Sequence, residues 1–360
     1  MSEQTSLRAI GLMSGTSLDG VDAAWIETDG ETVFATGPSL TLAYDAALRS
    51  DLRQILDRAP GLAADDPLLA DAVARLTEVH VRAVLALKRQ ADIIGFHGQT
   101  ILHRPQQAKT WQVGDAVLLA GRTGIPVVHD FRSADVAAGG QGAPLVPVFH
   151  AALAHSLERP LAILNIGGVA NVTFIGGDGE LVAFDTGPGN GPLDDWAARH
   201  TREGFDRGGR LAAAGFADPA VLGRLLKNPY FVRPAPKSLD RLDFANALAA
   251  SGLDACSPAD GAATLAAFTA RAVAMAVLPA GPRRWLVCGG GRHNPAIMAA
   301  LRAALPAPVA PVEAVGWDGD ALEAQCFGFL AVRSVAGLPI SFPGTTGVRH
   351  PQRGGIMVRP

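Results

Sequence analysis

One pattern constrains this chain more than any other. An apolar strand, a turn of small residues and a second apolar strand, with a third strand behind them, occurs twice. The first occurrence is "RAIGLMSGTSLDGVDAAWIE" followed by "TVFATGPSLTL", and the second is "LAILNIGGVANVTFIG" followed by "ELVAFDTGPGN". After each, apolar residues at three- and four-residue spacing mark helices that alternate with short apolar strands. In the first half the helices are "AALRSDLRQILDRA" and "PLLADAVARLTEVHVRAVLALKRQ". They are followed by "ADIIGFHGQTIL", a buried strand running into a turn, and by the strand "IPVVHDF". In the second half they are "AATLAAFTARAVAMAVL", "NPAIMAALRAAL" with Asn294 as cap and Pro295 at its first position, and "DALEAQCFGFLAVRSVAG". The repeat is one of architecture, not of residues. It predicts an α/β fold of two domains, each a mixed sheet with flanking helices, around a cleft into which both hairpin turns point. The Gly- and Ala-rich segment 131–147 reads as the linker. The expected domains are therefore 1–130, completed by 335–360, and 131–334.

Composition removes several function classes. With 48% apolar and 18% charged residues the chain sustains a large core. A net charge of −3 provides no basic surface for nucleic acid or an anionic membrane, and no apolar run approaches the ~18 residues of a membrane span. Cys256, Cys288 and Cys326 form neither a metal-ligand cluster nor a disulfide framework, which suits a reducing compartment. The first residues lack a basic-then-apolar signal layout. The expectation is a cytoplasmic protein whose partners are small molecules.

Four segments carry chemistry. The first turn, Ser14 to Asp22, offers backbone N–H groups and three hydroxyls that can wrap a phosphate. It matches neither GxxxxGK[ST] nor GxGxxG, and an ordinary hairpin with a long loop is the competing reading. The second turn holds Gly167 and Gly168, and a Gly pair is also a common hairpin turn. Gly289, Gly290 and Gly291 end a strand before a capped helix, where the backbone can approach a flat ligand or simply turn tightly. Asp185, at a strand end among turn formers, can serve as a base, or as an Asx-turn or capping residue. His97 in "HGQT" binds a ligand or satisfies buried backbone. Glu323 is either a costly buried acid or a solvent-facing first-turn residue, and Lys237 in "PAPKS" has a surface reading of equal weight.

"GLMSGTSLDGVD", "GFHGQT", "GGQGAPLVP", "LNIGGVANVT", "FDTGPGN", "PAPKS", "LVCGGGRHNP" and "ALEAQCFGFLA" occur in this order. Together, from about Arg8 to the C-terminus, they resemble the anhydro-N-acetylmuramic acid kinase family. The resemblance implies two ribonuclease H-like domains of the actin, heat-shock chaperone and sugar kinase type around a nucleotide cleft. It implies conversion of 1,6-anhydro-N-acetylmuramic acid, ATP and water to N-acetylmuramic acid 6-phosphate and ADP in cell-wall recycling. The family's ATP-phosphate segment falls on Gly15, Thr16, Ser17, Leu18, Asp19, Gly20, Val21 and Asp22. Its second phosphate turn falls on Gly167 and Gly168, and its nucleoside-side glycines on Gly289, Gly290 and Gly291. Its catalytic aspartate falls on Asp185, and its sugar-contacting glutamate on Glu323, with His97 expected beside the sugar. Mg²⁺ is expected through Asp19 by way of water, a homodimer is implied, and Arg132 is the candidate for the sugar's lactyl carboxylate. Gly191 and Pro192 depart from the family's bulky residues after "DTGPGN", and the tail "TTGVRHPQRGGIMVRP" is more basic than the family's. Rival readings are another small-molecule kinase or ATPase of the same superfamily, an ATP-dependent binding module, and an ATP-independent glycosidase. The last leaves both phosphate-type turns unexplained.

Overall fold

The structure, a computed structural model, describes residues 5–15, 17–239 and 243–360. These residues form the strands β1 (Leu7–Ser14), β2 (Gly20–Thr28), β3 (Val33–Ala43), β4 (Ile93–Arg104), β5 (Lys109–Val113) and β6 (Val127–His129). The later strands are β7 (Leu161–Ile166), β8 (Val169–Ile175), β9 (Leu181–Pro188), β10 (Arg284–Cys288), β11 (Val309–Pro311) and β12 (Ile356–Val358). One sheet runs β12-β6-β4-β1-β2-β3, with β5 on β4, and the other runs β11-β10-β7-β8-β9. In the first, β1, β2 and β3 are antiparallel neighbours and β4 and β6 run parallel to β1. In the second, β7, β8 and β9 are antiparallel neighbours and β10 and β11 run parallel to β7. The order β6-β4-β1-β2-β3 matches β11-β10-β7-β8-β9, with β12 and β5 added to the first sheet, so the repeat read from the sequence is a repeat of sheet topology, and the α/β class with two mixed sheets holds.

Two compact units result: the chain up to His155 together with Ala321–Pro360, and Ser156–Asp320. These bounds differ from 1–130 with 335–360 and 131–334. Two sets of contacts move them. The helix Leu322–Val335 packs on β1, β2 and β4, and segment 131–147 is bonded into the first unit rather than strung as a linker. Its Asp135, buried, accepts hydrogen bonds from the Gly142 N–H at 2.6 Å and from the hydroxyls of Ser341 and Thr346. "HGQT" also differs from expectation. It lies inside β4, because β5 returns to pair with its second half and extends the strand.

Local chemistry explains the helices. Asp66 accepts from the N–H groups of Leu68 and Leu69 at the start of Pro67–Ala86, and Asn294 from those of Ala296 and Ile297 at the start of Pro295–Ala304. The first unit's core joins Ile10, Leu12 and Val21 of the sheet to Leu48, Leu76 and Val84 of the helices. The second joins Leu164, Val172 and Phe184 to Trp196, Phe268 and Leu301. In the first unit, helix Leu322–Val335 lies on the sheet with backbone against backbone. A Cβ on Gly11 would overlap the Ala324 carbonyl, and one on Gly95 the Phe327 carbonyl. Gly11 and Gly95 face each other across β1 and β4, so the helix presses on a two-strand glycine floor. Among the described residues no helix is long and apolar enough to cross a membrane.

Gly11→Ala is expected to lower unfolding stability by more than about 2 kcal/mol in urea titration, since packed backbone must separate. Gly61→Ala, with nothing within 4 Å of the new Cβ, is expected to change it by less than about 0.5 kcal/mol.

Candidate active site

In the first unit the candidate residues gather at the C-terminal edge of the parallel strands. Ser14 ends β1 opposite Gln99 of β4, and Phe96 of β4 pairs with His129 at the end of β6. The turn proper is narrower than the sequence suggested. Gly20, Val21 and Asp22 belong to β2, Val21 is fully buried in the core, and Asp22 accepts the Thr41 hydroxyl at 2.6 Å. Within the turn the Leu18 N–H donates to the Gly15 carbonyl at 3.2 Å. Leu18 has φ +60° with a fully buried side chain, so a strained backbone is pinned by packing. Ser17 and Asp19 are exposed, and Gly15 has an open Cα face. Thr16 lies outside the described residues. Of the three hydroxyls expected to face phosphate, that of Ser14 is buried and engaged internally, by His80 at 3.1 Å and the Gly98 carbonyl at 3.3 Å.

His97 is buried, its Nδ1–H donating to the Gly98 carbonyl at 2.7 Å and its Nε2 accepting from Arg132 Nε at 3.0 Å. Burial and the neighbouring guanidinium hold it well below the usual histidine range, so it is neutral. It lines a cavity of about 280 Å³ with Trp111, Gln112, Asp130 and Ser133. Asp130, at φ +55°, is another strained non-glycine residue. Arg132 also donates from Nη1 to the Gly142 carbonyl at 2.7 Å and feels the charge of Glu323. Glu323 is exposed in the first turn of its helix, so the solvent-facing alternative is the one found.

In the second unit the turn Gly167–Gly168, the end of β9 and Gly289 share the C-terminal edge of β7 and β10. Gly168 has nothing within 4 Å of a would-be Cβ, and neither has Gly290. Nothing in the chain itself demands glycine there, as expected where a ligand approaches the backbone. Gly289 and Gly291 differ, because their Cβ atoms would strike Asn165 and Ile166 at the end of β7. The loop after β9 is stitched to the Gly pair: the Gly189 N–H donates to the Gly168 carbonyl at 3.0 Å and that of Asn190 to the Gly167 carbonyl at 2.8 Å. A side chain at 191 would crowd Gly168, its Cβ meeting the Gly168 carbonyl at 2.9 Å.

Asp185 sits near the end of β9, opposite Asn171. Its Oδ2 accepts from the Leu239 N–H at 2.7 Å, while Oδ1 accepts from no described residue. Burial raises its carboxyl to about 7, against a lowering by the Leu239 hydrogen bond. Its backbone is clamped, the N–H on the Lys237 carbonyl at 3.0 Å and the carbonyl on the Tyr230 hydroxyl at 2.6 Å. Lys237 is buried, not on the surface, and its ammonium donates to the carbonyls of Tyr230 and Phe231 at 3.1 and 3.3 Å. Neither Leu239 nor Tyr230 carries a sequence signal for this duty, since a backbone N–H is anonymous.

The Gly289–Gly291 turn has a further support that the sequence reading missed. Arg292, with its side chain 3% exposed, donates to the Gly289 carbonyl at 3.0 Å and pairs with Glu313 at 2.8 Å and Asp320 at 2.9 Å. Among the described residues no three His, Cys, Asp or Glu side chains converge as a cation cage. Asp19 is exposed and paired with Arg49 at 3.0 Å. Such a pair is weak, and Mg²⁺ commonly takes one or two carboxylates plus phosphate oxygens and water. The donor set therefore fits a cation carried by phosphate and touched by the protein.

A family profile described as anhydro-N-acetylmuramic acid kinase matches residues 7–359. The chain belongs to the anhydro-N-acetylmuramic acid kinase family. It is 65% identical over 354 residues to the kinase of that name from Acidiphilium cryptum, covering 98% of this chain and 99% of that one. It is 58% identical to the one from Gluconobacter oxydans, covering 95% of this chain and 97% of the relative. For the one from Rhodospirillum rubrum the identity is 55%, covering 96% and 93%. The family is one of ATP-using phosphotransferases, and the resemblance built on eight short motifs extends over the whole matched length.

Arg292→Leu removes the clamp on the Gly289 carbonyl. In steady-state kinetics the KM for ATP is expected to rise about tenfold while the KM for the sugar changes less than about twofold.

Proposed function

We propose that this chain is an ATP-dependent kinase that opens 1,6-anhydro-N-acetylmuramic acid with water and phosphorylates O6, giving N-acetylmuramic acid 6-phosphate and ADP. The observation that carries the reading is Asp185, half-buried, with one carboxylate oxygen held and the other accepting from no described residue, and a carboxyl raised to about 7. A base of that strength is matched to neutral pH.

The substrate's O6 is bonded to C1, and cleaving an acetal ordinarily needs an acid for the leaving oxygen and a base for water. ATP, when bound, supplies a γ-phosphoryl group that captures O6 and so replaces the acid. One carboxylate then suffices. Asp185 Oδ1 takes a proton from water as its oxygen bonds to C1 and the C1–O6 bond breaks. Attack comes from the face opposite O6, so the anomeric configuration inverts. The clamp from Leu239, Lys237 and Tyr230 holds the carboxylate in place. The Gly15–Asp19 turn and the Gly167–Gly168 turn present N–H groups to phosphate oxygens, where positioning and charge stabilisation supply most of the catalysis. Gly289, Gly290 and Gly291 receive the nucleoside side, and Mg²⁺ would be held through water by Asp19. His97 and Glu323 orient the sugar. Arg132, whose Nη2 donates to no described residue, meets the lactyl carboxylate as a paired guanidinium can. The enzyme works in the cytoplasm on a small-molecule substrate.

Because Asp185 must be ionised to act, kcat/KM is expected to rise with pH through about 7 and level above it. Asp185→Asn is expected to lower turnover ~10²–10⁴-fold; a flat profile and near-normal rate in that variant would end the assignment. Stability has the opposite slope. The folded carboxyl holds its proton from about 4, the unfolded value, up to about 7, so the folded state loses stability as pH rises through that window. Asp185→Asn is thus expected to melt above wild type at pH 8, with the difference shrinking toward pH 4.

A further inference from the structure

His80 lies outside every motif and outside the mechanism, yet it is a fully buried imidazole on helix Pro67–Ala86. Its Nδ1 faces the Leu76 carbonyl at 2.9 Å, one turn back on its own helix. A carbonyl can only accept, so Nδ1 carries the proton and Nε2 presents a lone pair. The group facing that lone pair is the Ser14 hydroxyl, 3.1 Å away and 1% exposed. The hydroxyl proton therefore turns inward to His80, with the Gly98 carbonyl at 3.3 Å as second neighbour. Ser14 is the last residue of β1, and Gly15 opens the phosphate turn. Gly15 is held in turn by Gln99, whose Nε2 donates to its carbonyl at 3.1 Å. The ring of His80 also packs edge-on against Phe96, centroids 4.8 Å apart, which fixes its orientation.

We infer that His80 is a positioning residue for the phosphate-binding turn, acting through the Ser14 hydroxyl from the helix behind the sheet. The inference rests on the kinase reading for the identity of the anion, a nucleoside triphosphate. Burial keeps the imidazole neutral down to about pH 4, so the lone pair is available throughout the working range. The device suits a strained turn. With Leu18 at φ +60° the loop has a cheaper conformation available, and anchoring both of its stems excludes it. Leu18 pins the far stem by packing, and the His80–Ser14 bond pins the near one.

The test is calorimetric binding of Mg²⁺ with a non-hydrolysable ATP analogue, without sugar, to folded protein of known active fraction. His80→Leu and Ser14→Ala are each expected to weaken binding about tenfold. The double variant is expected to bind no more weakly than either single one, because both remove the same bond. His80→Gln, which keeps an acceptor for the hydroxyl, is expected to lie within about twofold of wild type. Wild-type affinity in folded His80→Leu, or losses that multiply in the double variant, would overturn the proposal. Should His80→Leu not fold, Ser14→Ala decides alone: unaltered affinity there overturns it equally. Turnover of the anhydro-sugar by wild type is scored separately, so a protein that binds nucleotide but leaves this sugar intact contradicts the substrate and not the positioning role.

Discussion

Backbone lying directly on backbone is the contact on which each candidate loop depends. Glycines make it, and no other residue can. In the first unit Gly11 and Gly95 admit the carbonyls of Ala324 and Phe327, which sets the helix bearing Glu323 on β1, which ends at Ser14, and on β4, which carries His97. In the second unit Gly189 and Gly191 close on Gly167 and Gly168, and Gly289 and Gly291 on the end of β7. Loops seated this way cannot drift by the ångström that costs a catalyst much of its rate. Gly168 and Gly290 face open space, and a Cβ on Gly167 would meet only the Val169 carbonyl at 3.7 Å.

Two ionisable groups near each other in the second unit show how environment divides labour. Lys237 is buried against Phe184 and Tyr230 and gives its ammonium protons to two backbone carbonyls. It is a structural cation that secures the segment whose carbonyl holds the Asp185 N–H. Asp185 keeps one oxygen without a donor among the described residues, the arrangement the proposed base requires. The first unit uses the same economy. Arg132 donates from Nε to His97 and from Nη1 to the Gly142 carbonyl, and Nη2 donates to no described residue.

Much of this was legible in the residues. The doubled strand–turn–strand order announced two sheets of like topology, and Asn294-Pro295 marked its helix to the residue. Asp185 stood out as a carboxylate at a strand end among turn formers. What could not be read were partners that act through the main chain. The Leu239 N–H, the Gly98 carbonyl and the Gly289 carbonyl that Arg292 grips have no side-chain signature. The unit boundary was misplaced for a related reason. Segment 131–147 has a linker's composition, but Asp135 ties it to Ser341 and Thr346, some two hundred positions away, and composition does not encode long-range bonds. "HGQT" looked like a turn because the strand that extends it, β5, comes later and is short.

The account comes down to one base and a phosphoryl group doing the work of an acid and a base. An incubation in ¹⁸O-water with Mg-ATP and the anhydro-sugar tests that division directly, with the product read by mass spectrometry and NMR. The account requires the label on C1 of a 6-phosphorylated sugar with inverted anomeric configuration, and none on the transferred phosphate. Label in released inorganic phosphate with the ring intact, or a ring opened with retention at C1, would contradict it.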